Sequence, residues 1–251
     1  MIHPILFLMY IQVPEQLALA KETWASLVAQ DVEGELLIYV LNNGSSAETV
    51  AWLNSLPETA PAHVKIHGVH YSANISPLLI VNKYLAEIFK EHDYVLSVPP
   101  DVILPPNLYR EFLRWPRGIV TGSQVPNRDF PMFEESHVVS EHTPMAVALT
   151  RKWMHDALLR LDGQFNEKEY FLYASDCSMA LRLSMCGIRG VQLDLQYFHQ
   201  ASSSWRLLPP EQGKIITDRA DVDRAVFERR WGFKVSDPAY MEAAMDINFR
   251  G

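Results

Sequence analysis

Four short stretches carry residue types that could do chemistry together. Asp101 ends an apolar run in "DYVLSVPPDVILPP" (93–106), where two proline pairs bracket a single carboxylate. A lone acid there can be a turn residue. It can also be an oxygen ligand for Mg²⁺ or Mn²⁺, hard cations that take carboxylates and bridge the phosphates of a bound nucleotide. Asp176 in "ASDC" stands at the start of a helical pattern. There an acid either complements the helix terminus or serves as a general base toward a hydroxyl within hydrogen-bond reach. His199 closes the alternating run "VQLDLQYFH", as a structural histidine or as an imidazole ligand to the same metal. "NNGSS" (42–46) is a strong turn signal, and Asn42 and Asn43 within it are candidates for a base or ribose pocket.

The elements that must position these residues follow from the apolar spacing. "PILFLMYI", "ELLIYVLN", "VKIHGVHY" and "YVLSV" read as strands. Between them, "PEQLALAKETWASLVAQ" carries Leu17, Ala20, Trp24, Leu27 and Val28 at helical spacing, and "AETVAWLNSL" is a shorter helix. "SPLLIVNKYLAEIFKEH" starts with Ser76 at the N-cap and Pro77 at the first helical position. Alternating β and α elements with continuous apolar strands imply an α/β fold with a mostly parallel, Rossmann-like sheet covered by helices on both faces. In such a sheet ligands sit beyond the carboxyl ends of the strands. "NNGSS", the Pro99-Pro100-Asp101 turn, and Tyr10 with Gln12 all fall at strand ends, so one shared pocket is expected.

After Asp101 the pattern changes. "NLYREFLRW" reads as a helix, "GIVTGSQV" as a strand, 124–144 as a polar loop, "MAVALT" as a strand, "RKWMHDALLRL" and "CSMALRLSMCG" as helices, and "RGVQLDLQYFHQ" as a strand. The tail is helical in "DVDRAVFERRWG" and loose beyond it. No Gly- or Ser-rich linker divides the chain, so a single domain is expected. Residues 1–104 and 105–205 are expected to form its two halves, and 206–251 a helical extension packed on the same body.

The chain has 251 residues, is 48% hydrophobic and carries a formal charge of −8. That length supports one large core, and the acidic balance argues against a dedicated nucleic-acid or anionic-membrane binder. The basic cluster Arg224, Arg229, Arg230 and Lys234 reads as a solvated helix face. The opening apolar run is only about nine residues long and reads as a core strand rather than a leader. No run approaches the roughly 20 residues that span a bilayer, so a soluble, cytoplasmic protein is expected. Cys177 and Cys186 lie about 13–14 Å apart along one helix at 1.5 Å per residue. That is too far for a disulfide, and free, buried thiols are expected.

In chain order these stretches resemble the family-2-type glycosyltransferases of the GT-A fold, over roughly residues 5–233. "MYIQVPEQL" is similar to the family's Tyr-Asn-x-Pro-Glu exit from the first strand, through Tyr10, Pro14 and Glu15. "NNGSS" resembles its Asp-Asn-Gly-Ser turn, with Asn42 in the place of the acid, and Asn82 matches its third-helix asparagine. "DYVLSVPPDVILPP" resembles its Asp-Asp-Asp or Asn-Pro-Asp turn, keeping only Asp101, as the rhamnosyltransferase-like Asn-Pro-Asp branch does. "DGQFNEKEYFLYASDCSMALRLSMCG" is similar to the family's Gly-Gly-Phe-Asp-Glu to Gly-Glu-Asp-x-Asp segment. Gly163, Phe165, Glu167, Phe171, Tyr173, Asp176, Leu181, Arg182 and Gly187 hold their places there, with Ser175 and Ser178 in place of acids. "HQASSSW" resembles the closing His-x-x-Gly-x-Ser-Ser.

The resemblance implies transfer of a sugar, with inversion, from a nucleoside-diphosphate sugar to an acceptor hydroxyl, a UDP-sugar being the expected donor. The donor sits against Tyr10, Asn42, Asn43, Asn82 and Pro100. A divalent cation, Mn²⁺ or Mg²⁺, sits on Asp101 and His199, and Asp176 is the base. Ser175 and Trp205 fall on the acceptor side. The acceptor stays open among a saccharide, a protein, a lipid-linked sugar and a modified nucleic-acid base; oligomeric state is not readable. The losses at Pro99, Ser175 and Ser178 keep open a nucleotide-sugar binder of impaired activity. A nucleotidyltransferase is disfavoured, because "MYIQVPEQ" lacks the glycines and basic residues of a phosphate loop.

Overall fold

A computed structural model describes residues 1–131, 134–141, 146–171, 173–200, 206–246 and 249. The first half alternates as its apolar pattern requires: β1 (Ile2–Met9), α1 (Pro14–Val28), β2 (Glu35–Asn43), α2 (Ala47–Thr59), β3 (Val64–Tyr71), α3 (Pro77–Ile88) and β4 (Tyr94–Val98). The second half contains β5 (Val102–Ile103), α4 (Leu108–Arg114), β6 (Ile119–Val125), β7 (Val138–Ser140), β8 (Ala148–Arg151), α5 (Lys152–Asp162), α6 (Ser175–Met185) and β9 (Val191–His199). Two tail helices follow, α7 (Pro210–Trp231) and α8 (Pro238–Met245). None of the described helices is long and apolar enough to cross a membrane.

Among the described residues all nine strands join one sheet, in the order β3-β2-β1-β4-β8-β6-β9-β5, with β7 also on β9. The pairs β1·β2, β2·β3, β1·β4 and β6·β9 are parallel, while β4·β8, β6·β8, β5·β9 and β7·β9 are antiparallel. The sheet is therefore mixed, each of its antiparallel pairs involving a strand beyond Asp101, where the sequence pattern changed. Because β8 runs against both β4 and β6, strands β4, β6 and β9 point the same way. Their carboxyl ends emerge along one edge with those of β1 and β2.

One apolar cluster packs α1, α2 and α4 on one face of the sheet, around Phe7, Leu27, Ile38 and Tyr109. The other packs α3, α5 and α6 on the opposite face, around Leu6, Ile88, Met154 and Met179. A third cluster (Leu78, Tyr170, Leu181, Phe227, Tyr240 and Ala243) fastens the tail to α3 and α6. The tail departs from expectation in two ways: α7 begins at Pro210, and the stretch expected to be loose contains α8. The inward stripe of α7 is short and interrupted by an acid (Ala220, Asp223, Phe227), which weakens its amphipathic signal. The polar stretch 124–144 likewise contains the short strand β7.

Polar contacts fix the segment that leads into α6. Arg182, fully buried, grips Asp162 with two nitrogens at 2.8 and 2.6 Å and donates to the carbonyls of Phe165, at 2.6 Å, and Gln164. Arg230, expected on a solvated face, turns inward to Asp162 at 3.5 Å and to Glu167. Ser178, also fully buried, donates to Glu167 and accepts the indole N–H of Trp231 at 3.0 Å. Burial pushes the Glu167 carboxyl up, against the pull of Ser178 and the two arginines. Ser178 serves Glu167 as a neutral donor, a contact that an ionised acid at 178 could not make.

Replacing Arg182 with Met removes a buried cation and leaves its carbonyl and carboxylate partners underserved. A loss of about 3–5 kcal/mol in urea unfolding is expected. A loss below about 1 kcal/mol, within the range of an exposed ion pair, would show that the network contributes little.

Candidate active site

A cavity of about 550 Å³ opens at the carboxyl edge of the sheet, a volume in the range of small-ligand sites. Tyr10, Asn43, Pro99, Pro100, Asp101, Gln124, Tyr173, Ala174, Ser175, Asp176 and His199 all reach its wall. The strand ends expected to share one pocket do share it.

The turn at Asp101 is held from two sides. Val102 pairs with His199 across the β5·β9 ladder, and the Gln200 N–H donates to the Asp101 carbonyl at 2.9 Å. On the other side, the Thr23 hydroxyl of α1 accepts from the Val102 N–H at 3.1 Å. Asp101 is buried at 8% exposure, and its Oδ1 lies 3.6 Å from His199 Nε2. His199 Nδ1 meets Gln124 Oε1 at 2.6 Å. An amide oxygen accepts, so that ring nitrogen carries the hydrogen, and in the neutral ring Nε2 would present its lone pair beside the carboxylate. Metal-binding histidines are commonly oriented this way. An acid oxygen and an imidazole lone pair on one wall fit a divalent cation that takes its remaining ligands from substrate phosphates and water. The described residues gather no group of three or more His, Cys, Asp or Glu as a complete metal cage. Gln124 was not singled out in the sequence, although it too stands near a strand's carboxyl end.

The segment before α6 is shaped by its backbone. Ala174 adopts φ +56°, ψ 0°, as the one described non-glycine residue at positive φ. This left-handed residue turns the chain into α6 and places Ser175 and the exposed Asp176 at the cavity. Burial first, then the neighbouring Asp176 carboxylate, pushes the Cys177 thiol up to about 12. It is therefore no nucleophile at neutral pH. Both cysteines are free, as expected, but half-buried rather than buried.

Three expected donor contacts are engaged within the protein. Asn42 is absent from the cavity wall: its Oδ1 accepts the Ser45 N–H at 3.0 Å and its Nδ2 meets His70 Nδ1 at 3.2 Å, stabilising the turn after β2. Asn43 reaches the wall, but its amide bonds Asn74 and Ile75 at 2.8–3.0 Å. Asn82 clamps the loop before α6, donating to the Asn166 carbonyl at 2.7 Å and accepting its N–H at 2.8 Å. Ser76 occupies the N-cap position but does not cap α3; its hydroxyl donates to the Phe171 carbonyl at 3.0 Å. Ser46, by contrast, caps α2 through Thr49. Trp205 lies outside the described residues.

No protein-family model matches the chain, and no curated protein matches it. Solved structures do. S. aureus TarS in complex with UDP-GlcNAc aligns with a TM-score of 0.59 over 97% of this chain and 78% of that one, at 14% identity. The mannosyltransferase PcManGT from Pyrobaculum calidifontis, in complex with GDP-Man and Mn2+, aligns with a TM-score of 0.58 over 97% and 72%, at 16% identity. The chain has the GT-A glycosyltransferase fold. On this GT-A sheet the cavity is lined by β1, β2 and β4 with their exits, by α1 and α3, and by the ends of β6 and β9 and the start of α6.

A left-handed non-glycine residue costs roughly 1–2 kcal/mol. Ala174→Gly is expected to hold or slightly raise the melting temperature. Ala174→Val is expected to lower stability by about 1–3 kcal/mol, because a β-branched residue tolerates positive φ poorly. Equal melting temperatures for the two variants would contradict the assigned backbone conformation.

Proposed function

We propose that this protein is a glycosyltransferase that moves a sugar from a nucleoside-diphosphate sugar, with UDP-sugars the first candidates, to an acceptor hydroxyl with inversion. The observation that carries the reading is that Asp101, His199 and Asp176 line one cavity of a GT-A fold. Tyr10 and the Pro99-Pro100 turn offer apolar walls for the nucleoside. Asp101 and His199 are the residues that would hold Mn²⁺ or Mg²⁺. Such an ion, when bound, supplies positive charge to a leaving diphosphate. Asp176 takes the proton of the acceptor hydroxyl, whose oxygen bonds to the anomeric carbon. The bond from that carbon to the diphosphate oxygen breaks, and its electron pair leaves with the nucleotide. Ser175, beside Asp176 on the wall, falls on the acceptor side.

The exposure of Asp176 suits this role, since the base must meet a hydroxyl arriving from solvent. A binder without turnover is the second reading. It draws on Ser175, which stands beside the base where the resembling family carries an acid.

Thermal shift against UDP, GDP, CDP, ADP and dTDP, with and without Mn²⁺, tests the donor pocket, since a ligand selective for the native state raises stability with the logarithm of its concentration over Kd. One nucleotide is expected to stabilise the protein in a Mn²⁺-dependent way, and Asp101→Ala is expected to abolish the shift. A flat response to every nucleotide overturns the proposal. Asp176→Asn is expected to keep the shift while lowering turnover of the matching donor by about 10²–10⁴-fold. Nucleotide binding without any turnover in the wild type would select the second reading.

A further inference from the structure

α7 carries an acid where its packing asks for an apolar residue. Ala220, Asp223 and Phe227 form its inward stripe, and Asp223 is only 2% exposed. A buried carboxylate is retained only where strong hydrogen bonds offset its desolvation. Here Oδ1 accepts the Phe171 N–H at 2.9 Å and Oδ2 accepts the Tyr173 N–H at 2.8 Å. One turn earlier on α7, the Arg219 guanidinium lies over the Phe171 ring, 4.1 Å from its centroid. From the other side, the Ser76 hydroxyl donates to the Phe171 carbonyl. The two backbone amides gripped by Asp223 belong to the segment that runs directly into Ala174, Ser175 and Asp176. Its second anchor point, Tyr173, itself lines the cavity. A left-handed Ala174 persists only where its surroundings hold it. Downstream it is fixed by the Ser178 N–H to Ala174 carbonyl bond, at 3.0 Å.

We infer that Asp223 is a positioning residue for the base: through two backbone amides, the tail helix sets where Tyr173 and Asp176 stand in the cavity. This inference rests on the proposed function. It adds that residues beyond 205 take part in catalysis through the loop they hold rather than by touching substrate.

The test compares Asp223→Ala, Asp223→Asn and Phe227→Leu in the full chain. Phe227→Leu loosens the same helix in its apolar contacts without touching the loop amides. The readouts are hydrogen exchange of the peptide spanning 170–176, nucleotide affinity, and steady-state kinetics at a temperature where all variants are folded. Asp223→Ala is expected to speed exchange of the Phe171 and Tyr173 amides and lower kcat, with displacement of a reacting group costing on the order of 10²-fold, while donor KM and nucleotide affinity hold. Asp223→Asn keeps one acceptor oxygen and is expected to fall between Asp223→Ala and the wild type on both readouts. Phe227→Leu is expected to lower the melting temperature and leave kcat unchanged. Unchanged loop exchange in Asp223→Ala, unchanged kcat despite faster exchange, or an equal kcat loss in Phe227→Leu would each overturn the inference while leaving the proposed function in place. A wild type that transfers no sugar overturns the proposed function and with it the catalytic part of the inference; exchange then still decides whether Asp223 holds the loop.

Discussion

Strand β8 decides what the rest of the molecule can do. It runs against β4 on one side and β6 on the other. Two reversals restore the original direction, so β6 and β9 discharge their carboxyl ends along the same edge as β1, β2 and β4. Were β8 parallel to either neighbour alone, Gln124 and His199 would emerge at the opposite edge from Asp101. The β5·β9 ladder then needs only two residues, Val102 and Ile103, to bring the Pro-Pro-Asp turn beside the imidazole. A backbone register thus builds the pair of groups suited to a cation, and the Gln124 amide completes it by fixing the hydrogen on the ring.

The part of this arrangement that was legible in the sequence is the part written in local patterns. Continuous apolar strands, proline at helix starts and the alternation of periods carried the first hundred residues. Polar residues placed just after strands carried the shared pocket. Long-range polar pairing was not legible. Asn42, Asn43 and Asn82 stood at suggestive positions, but an amide that can contact a ligand can equally tie two loops together, and sequence alone does not show its partner. Asp223 left a faint trace, an acid between Ala220 and Phe227 at core spacing, inside the stretch that read as helical. The serine at 178 read as a lost carboxylate until Glu167 and Trp231 stood beside it.

The helix α6 is shared by the two parts of the molecule. Its amino end presents Ser175 and Asp176 to the cavity, and its buried face is locked by Arg182 and Ser178 into contacts with α5, the loop 163–167 and the tail. Asn82 and Ser76 hold the preceding loop from α3, in the first half of the chain. The segment before Asp176 is therefore tied to both halves of the sheet, so its placement does not rest on the strained Ala174 alone.

The contacts of the tail bear on how the chain can be cut and recombined. A fragment ending at residue 205 would lose Trp231 from Ser178, Arg230 from Glu167 and Asp162, and Asp223 from two backbone amides, and would uncover Leu78, Tyr170 and Leu181. It would be a different object rather than a smaller version of this protein. In a chimera built by exchanging modules, the segment 162–185 and the helices from 210 to 245 would have to travel together, because each supplies the other's buried hydrogen-bond partners.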